Sequence, residues 1–76
     1  MNKSAAEQMR ELLEQLYNNC TYYQEKGDTK RLINEVGALR GAMLTADIIG
    51  IQYQEAKYCK EFIHPLAEKM YKWKRP

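Results

Sequence analysis

Apolar residues recur every three or four positions along most of the chain, which is the spacing of amphipathic α-helices. In the first third of the sequence they form one stripe from Met9 to Tyr23, and polar residues occupy the other faces. No segment alternates apolar and polar residues over several positions, as a half-buried strand would. The pattern therefore predicts an all-α protein with a single helical domain over residues 1–76.

Local capping signals predict where the first helix begins and ends. Ser4 and Glu7 form a capping box, in which the serine hydroxyl accepts a hydrogen bond from the glutamate amide. Gly27 is typical of a helix end, because glycine readily adopts the left-handed conformation needed there. Asp28 follows directly and is a favourable N-cap for a second helix. We therefore expect an antiparallel hairpin of a helix over residues 4–26 and a second helix from residue 29.

The second helix is apolar on two faces, and the first helix can cover only one of them. One stripe consists of Leu32, Val36, Leu39, Met43, Ala46 and Ile49, and its neighbour consists of Ile33, Gly37, Gly41, Leu44 and Ile48. Glycine inside a helix costs about 1 kcal/mol relative to alanine, so the two glycines indicate a close approach by another helix. We expect a homodimer or higher oligomer, packed as a helical bundle through the second stripe.

The extent of the second helix has two interpretations. The apolar spacing resumes at Tyr53, and no capping residue lies between Ile48 and Tyr53, which favours one long helix over residues 29–63. Alternatively, Gly50 ends the second helix and a third one follows. Pro65 disfavours helical backbone at His64 and suits the first turn of a short C-terminal helix.

The amino-acid counts limit the chemistry and the location. Two cysteines and one histidine cannot supply a structural zinc site within one chain, and we expect no metal or other cofactor. The cysteines are far apart in sequence and favour free thiols in the cytoplasm, although one Cys20–Cys59 bridge stays open. We find no signal peptide and no apolar run near the roughly 20 residues that span a membrane. Motifs of nucleotide-binding, hydrolytic or metal enzymes are absent, so we do not expect an enzyme.

Aromatic residues are the main compositional excess, with six tyrosines, one tryptophan and one phenylalanine in 76 residues. Tyrosine and tryptophan are favoured at interfaces because they combine a large apolar area with a polar group. Arg40 stands between two glycines on an otherwise apolar helix and needs an acidic or anionic partner if it is buried. The candidate partner- or ligand-binding residues are therefore Arg40, Tyr22, Tyr23, Tyr58, Tyr71 and Trp73.

These observations predict a non-catalytic binding protein, a small adaptor or inhibitor that docks on another protein. A compact chain without catalytic motifs would suit a product of a phage or mobile element. One alternative is a nucleic-acid-associated regulator, because residues 69–76 combine aromatic residues with four bases and no acid. Those bases are Lys69, Lys72, Lys74 and Arg75. Another alternative is a small-molecule or anion binder at a subunit interface near Arg40.

Overall fold

The computed structural model describes residues 3–65, and most of this range is helical. Helix α1 spans Ala5–Lys26, α2 spans Thr29–Ile49 and α3 spans Glu55–Tyr58. A π-helical turn, Cys59–Ile63, continues α3 directly. The two long helices pack against each other through a tight turn, and no strand occurs in residues 3–65. The all-helical fold and its hairpin are therefore confirmed.

The predicted caps form at the start of α1 and on both sides of the α1–α2 turn. The Ser4 hydroxyl accepts a hydrogen bond from the Glu7 amide at 3.1 Å and begins α1. Gly27 ends α1 with φ of 71°, in the left-handed region. The Asp28 carboxylate then accepts from the Arg31 amide at 3.2 Å and begins α2. Each contact lies within four residues along the chain, which is why the sequence alone was sufficient to locate these boundaries.

Helix α2 ends at Ile49, so the preferred prediction of one helix over residues 29–63 is wrong and the three-helix alternative is right. Gly50 has φ of 76°, and its amide donates toward Asp47 and Ala46. The Ile51 amide donates to the Ala46 carbonyl at 2.9 Å, which completes a glycine C-cap of the Schellman type. The chain then turns back, which a straight helix could not do.

The segment after the turn keeps helical backbone through Pro65, so the predicted break at His64 is also wrong. The π-helical turn ends at Ile63, two residues before Pro65, whose ring would press on a carbonyl one turn earlier in a regular α-helix. A wider turn relieves that contact. The short C-terminal helix predicted from Pro65 onward falls mainly on residues 66–76, outside the described range.

The hydrophobic core lies between all three helical segments. It consists of Leu13 and Cys20 from α1, Val36, Leu39, Met43 and Ala46 from α2, and Tyr58 and Phe62 from the C-terminal segment. The α2 members belong to the first of its two apolar stripes. Ile49, the last member of that stripe, is 56% exposed because it lies at the end of the helix. Helix α1 and the C-terminal segment therefore cover one face of α2.

Within residues 3–65, the helices are too short or too polar to cross a membrane.

Candidate interaction surface on the second helix

The second apolar stripe of α2 faces away from the core. We call it the outer face, and it consists of Ile33, Gly37, Gly41, Leu44 and Ile48. Its three large side chains are exposed to 46%, 53% and 83% in chain order. Single exposed apolar residues are common, but several on one helix face make that face a candidate contact surface. These five residues are the ones predicted to form the interface.

The two glycines leave shallow gaps in the outer face. A Cβ atom built on Gly37 or on Gly41 would meet no atom of the described chain within 4 Å outside their own helix. Helix α1 therefore does not make the close approach that these glycines indicate. Within residues 3–65, nothing compensates the roughly 1 kcal/mol that each glycine costs the helix.

Two opposite charges border the same side of the outer face. Arg40 and Asp47 are seven residues apart, so they lie two turns apart along one edge of the helix. Arg40 is exposed and has no ion-pair partner among the residues that the structure describes. Asp47 accepts a hydrogen bond from the Tyr53 hydroxyl at 3.0 Å and is otherwise open to solvent. An interaction that covers the outer face would therefore also meet a positive and a negative group.

A second exposed feature lies near the turn between α1 and α2. The rings of Tyr22 and Tyr23 are 5.3 Å apart and nearly perpendicular. The Lys26 ammonium lies 5.6 Å from the centre of the Tyr22 ring, which is 53% exposed as a residue. We call these three residues the apex patch. Of the predicted partner-binding tyrosines, it leaves Tyr22 exposed and Tyr23 half-buried.

Tyr58 does not belong to a binding surface, which corrects the prediction. It is 3% exposed, and its ring lies 5.2 Å from that of Tyr17. Its hydroxyl donates to a Glu14 carboxylate oxygen at 2.7 Å. Burial, together with this hydrogen bond, raises the pKa of Tyr58 above its ordinary value. The polar end of the tyrosine is thereby satisfied while its ring completes the core.

A matching contact ties the C-terminal segment to α1 one turn further along. The Tyr17 hydroxyl donates to the Glu61 carboxylate at 2.7 Å, and the Lys57 ammonium lies 4.4 Å from the Tyr17 ring centre. Sequence reasoning missed both tyrosine–carboxylate pairs. Their partners are separated by 44 residues, and no local pattern reports such a pairing.

The cysteines are free thiols, and Cys20 is fully buried. Burial, with a smaller contribution from Glu35, raises the pKa of Cys20 to about 11. Burial also raises the pKa of Cys59. A thiol must lose its proton to act as a nucleophile or a metal ligand, so the buried Cys20 is a poor candidate for either role.

Other candidate sites are limited in the described range. Residues 3–65 contain no group of three or more side chains placed to hold a metal ion. An open cleft beyond the end of α2 is lined by Asp47, Gly50, Ile51, Gln52, Tyr53 and Glu55. The predicted tail residues lie outside the described range: Lys69, Tyr71, Lys72, Trp73, Lys74 and Arg75.

The chain matches no family model, no curated protein and no solved structure.

Proposed function

We propose that this protein is a non-catalytic binding protein, an adaptor or inhibitor that associates with itself through the outer face of α2 and docks on another protein. The observation that carries the proposal is the exposure of Ile33, Leu44 and Ile48 on the side of α2 that no other described helix covers. Exposure of large apolar side chains to water is unfavourable, and a partner that covers them stabilises the chain. A cytoplasmic location fits two protonated thiols without a disulfide.

The apex patch supports a separate contact with another protein. It lies on α1 beside the α1–α2 turn, whereas the outer face lies on α2. Tyrosine rings carry much of the binding energy at protein interfaces, and a nearby lysine adds charge selectivity. The patch therefore offers the exposed ring of Tyr22, with the half-buried Tyr23 beside it, to a protein other than a second copy.

Light scattering over a range of protein concentrations tests self-association. We expect the wild type to exceed the monomer mass of 9.0 kDa and Leu44→Asp to stay at it, because a carboxylate would be placed in the apolar contact. Asn18→Asp introduces the same charge at an exposed position of α1 and should leave the mass unchanged. A wild type that remains monomeric at high micromolar concentration would contradict the proposal.

Quantitative affinity capture tests docking on a second protein. A partner recovered in stoichiometric amount by the wild type should be lost with Tyr22→Ala, because the exposed ring is removed without disturbing the core. Gln24→Ala, at an exposed position on the same helix, provides the control and should retain the partner. Equal recovery by both variants would remove the apex patch from the proposal.

A further inference from the structure

We infer that two copies of this chain pair through the Gly37–Ile48 part of their outer faces, with the α2 helices antiparallel in one defined register. In that register, Leu44 of each copy lies over Gly41 of the other, and Ile48 lies over Gly37. This inference rests on the proposed function, because it specifies the geometry of the same self-association. It is carried by the order of large and small residues on the outer face and by the charges beside it.

The steric argument comes from the spacing of the four residues. Ile48 lies four residues after Leu44, and Gly37 lies four residues before Gly41. A single antiparallel alignment therefore satisfies both contacts at once, and two-fold symmetry repeats them, giving four side chains in four gaps. Because the gaps at Gly37 and Gly41 are empty in the described chain, the two helices can approach to about 8 Å.

The charges favour the same arrangement. Two antiparallel helices related by a two-fold axis place the same edge of each outer face together. Arg40 and Asp47 share one edge, so Arg40 of one copy faces the edge that carries Asp47 of the other. In the register set by the glycines, these two residues differ in height by two positions, or about 3 Å along the axis. An arginine side chain easily spans this offset, which gives two symmetric ion pairs.

A parallel pair fits the outer face less well. Each residue would then meet its own counterpart, so Leu44 and Ile48 would meet large side chains and the glycines would meet glycines. Opposite edges would also come together, and Arg40 would face the edge that bears Asn34 and Thr45 rather than a carboxylate. Aligned helix dipoles add a further unfavourable term to the parallel pair.

Charge reversal and mixing provide the decisive experiment. Arg40→Glu alone places two carboxylates together at each ion pair, and Asp47→Lys alone places two cations together. Each variant should dimerise about tenfold more weakly than the wild type. An equimolar mixture of the two should regain dimer to within about threefold of the wild type. In the mixed pair, the introduced carboxylate faces the introduced ammonium, and the unchanged Asp47 of one copy faces the unchanged Arg40 of the other, so both contacts are attractive.

Sedimentation equilibrium measures these affinities, and Lys60→Glu serves as a charge-matched control at an exposed position away from α2. Helical circular dichroism verifies that Asp47→Lys, which loses the hydrogen bond from Tyr53, remains folded. A wild-type dimer without recovery on mixing would overturn the register and leave the proposed self-association intact. A monomeric wild type would overturn both.

A distance between spin labels tests the orientation without altering the contact. The label is attached to Thr29→Cys, at the start of α2, in a Cys59→Ala background. Cys20 can stay because it is fully buried and therefore inaccessible to the label. The antiparallel register predicts about 40 Å between the two labels, at 1.5 Å per residue. A parallel pair would place them about 10 to 20 Å apart and would overturn the inference.

Discussion

The two apolar faces of α2 both carry large apolar side chains and have opposite environments. The inner face contributes Val36, Leu39, Met43 and Ala46 to the core, each at most 5% exposed. The outer face contains residues as large as those, yet Ile48 is 83% exposed. The difference arises from what lies opposite each face, since hydrophobicity alone does not distinguish them. A helix that is apolar on both sides thus combines a folding surface with an exposed apolar surface, for which we propose a contact role.

Replacing one leucine on each face by alanine should give the largest difference in the free energy of unfolding. Leu39→Ala should lower the free energy of unfolding by about 2 to 5 kcal/mol, because it leaves a cavity at a fully buried position. Leu44→Ala should change it by less than about 0.5 kcal/mol, because this side chain is exposed within one copy. Urea unfolding at protein concentrations below self-association measures both. Similar losses for the two variants would show that the outer face is also part of the fold.

A smaller effect is expected from Tyr58, which packs in the core with the inner face of α2. Tyr58→Phe removes the hydroxyl that donates to Glu14, and it should cost about 1.5 kcal/mol at most. Tyr22→Phe is the exposed control and should be close to neutral. Urea midpoints for the two variants at neutral pH check this prediction. A neutral Tyr58→Phe would contradict this, because it would mean that water bonds to Glu14 as favourably as the tyrosine hydroxyl does.

Cysteine and tyrosine side chains with raised pKa values should make the fold sensitive to alkali. The pKa of Cys20 is raised to about 11 in the folded chain, and the pKa values of Tyr17 and Tyr58 are raised as well. A raised folded-state pKa stabilises the protein fully below the unfolded pKa, and this contribution is lost as pH rises toward the folded pKa. The free energy of unfolding should therefore fall between about pH 9 and 11.

Urea unfolding at several pH values measures this slope, and Tyr58→Phe should reduce its alkaline part. A free energy of unfolding that stays constant across this range would contradict the burial of these groups.

Glycine replacement should change the free energy of unfolding only slightly, and it should affect folding and self-association in opposite directions. Gly41→Ala should raise the free energy of unfolding of one copy by about 0.5 to 1 kcal/mol, because alanine favours the helix and its methyl group meets no described atom. The same change should weaken self-association, because it fills the gap for Leu44. Thermal unfolding and light scattering on the same samples separate the two effects. Stronger association of Gly41→Ala would contradict close packing at this glycine.

Sequence patterns were most informative where the interactions are local. The caps at Ser4, Gly27 and Asp28 act within four residues, so the sequence was enough to locate the hairpin. The same reasoning failed at Gly50, which lacks the flanking polar signals seen at the first turn. There the local cap at Gly50 is followed by distant contacts, in which Tyr58 and Phe62 return to the core.

The amino-acid sequence by itself determined that the chain is helical, where its first turn lies, and that α2 carries two apolar stripes. Only the tertiary structure decided which stripe is covered, and that Tyr58 is buried while Tyr22 is exposed. Periodicity is set by the chain's own repeat of 3.6 residues per turn, so it is visible in the sequence. Burial depends on which distant segments pack together, and the repeat by itself marks both stripes of α2 only as apolar.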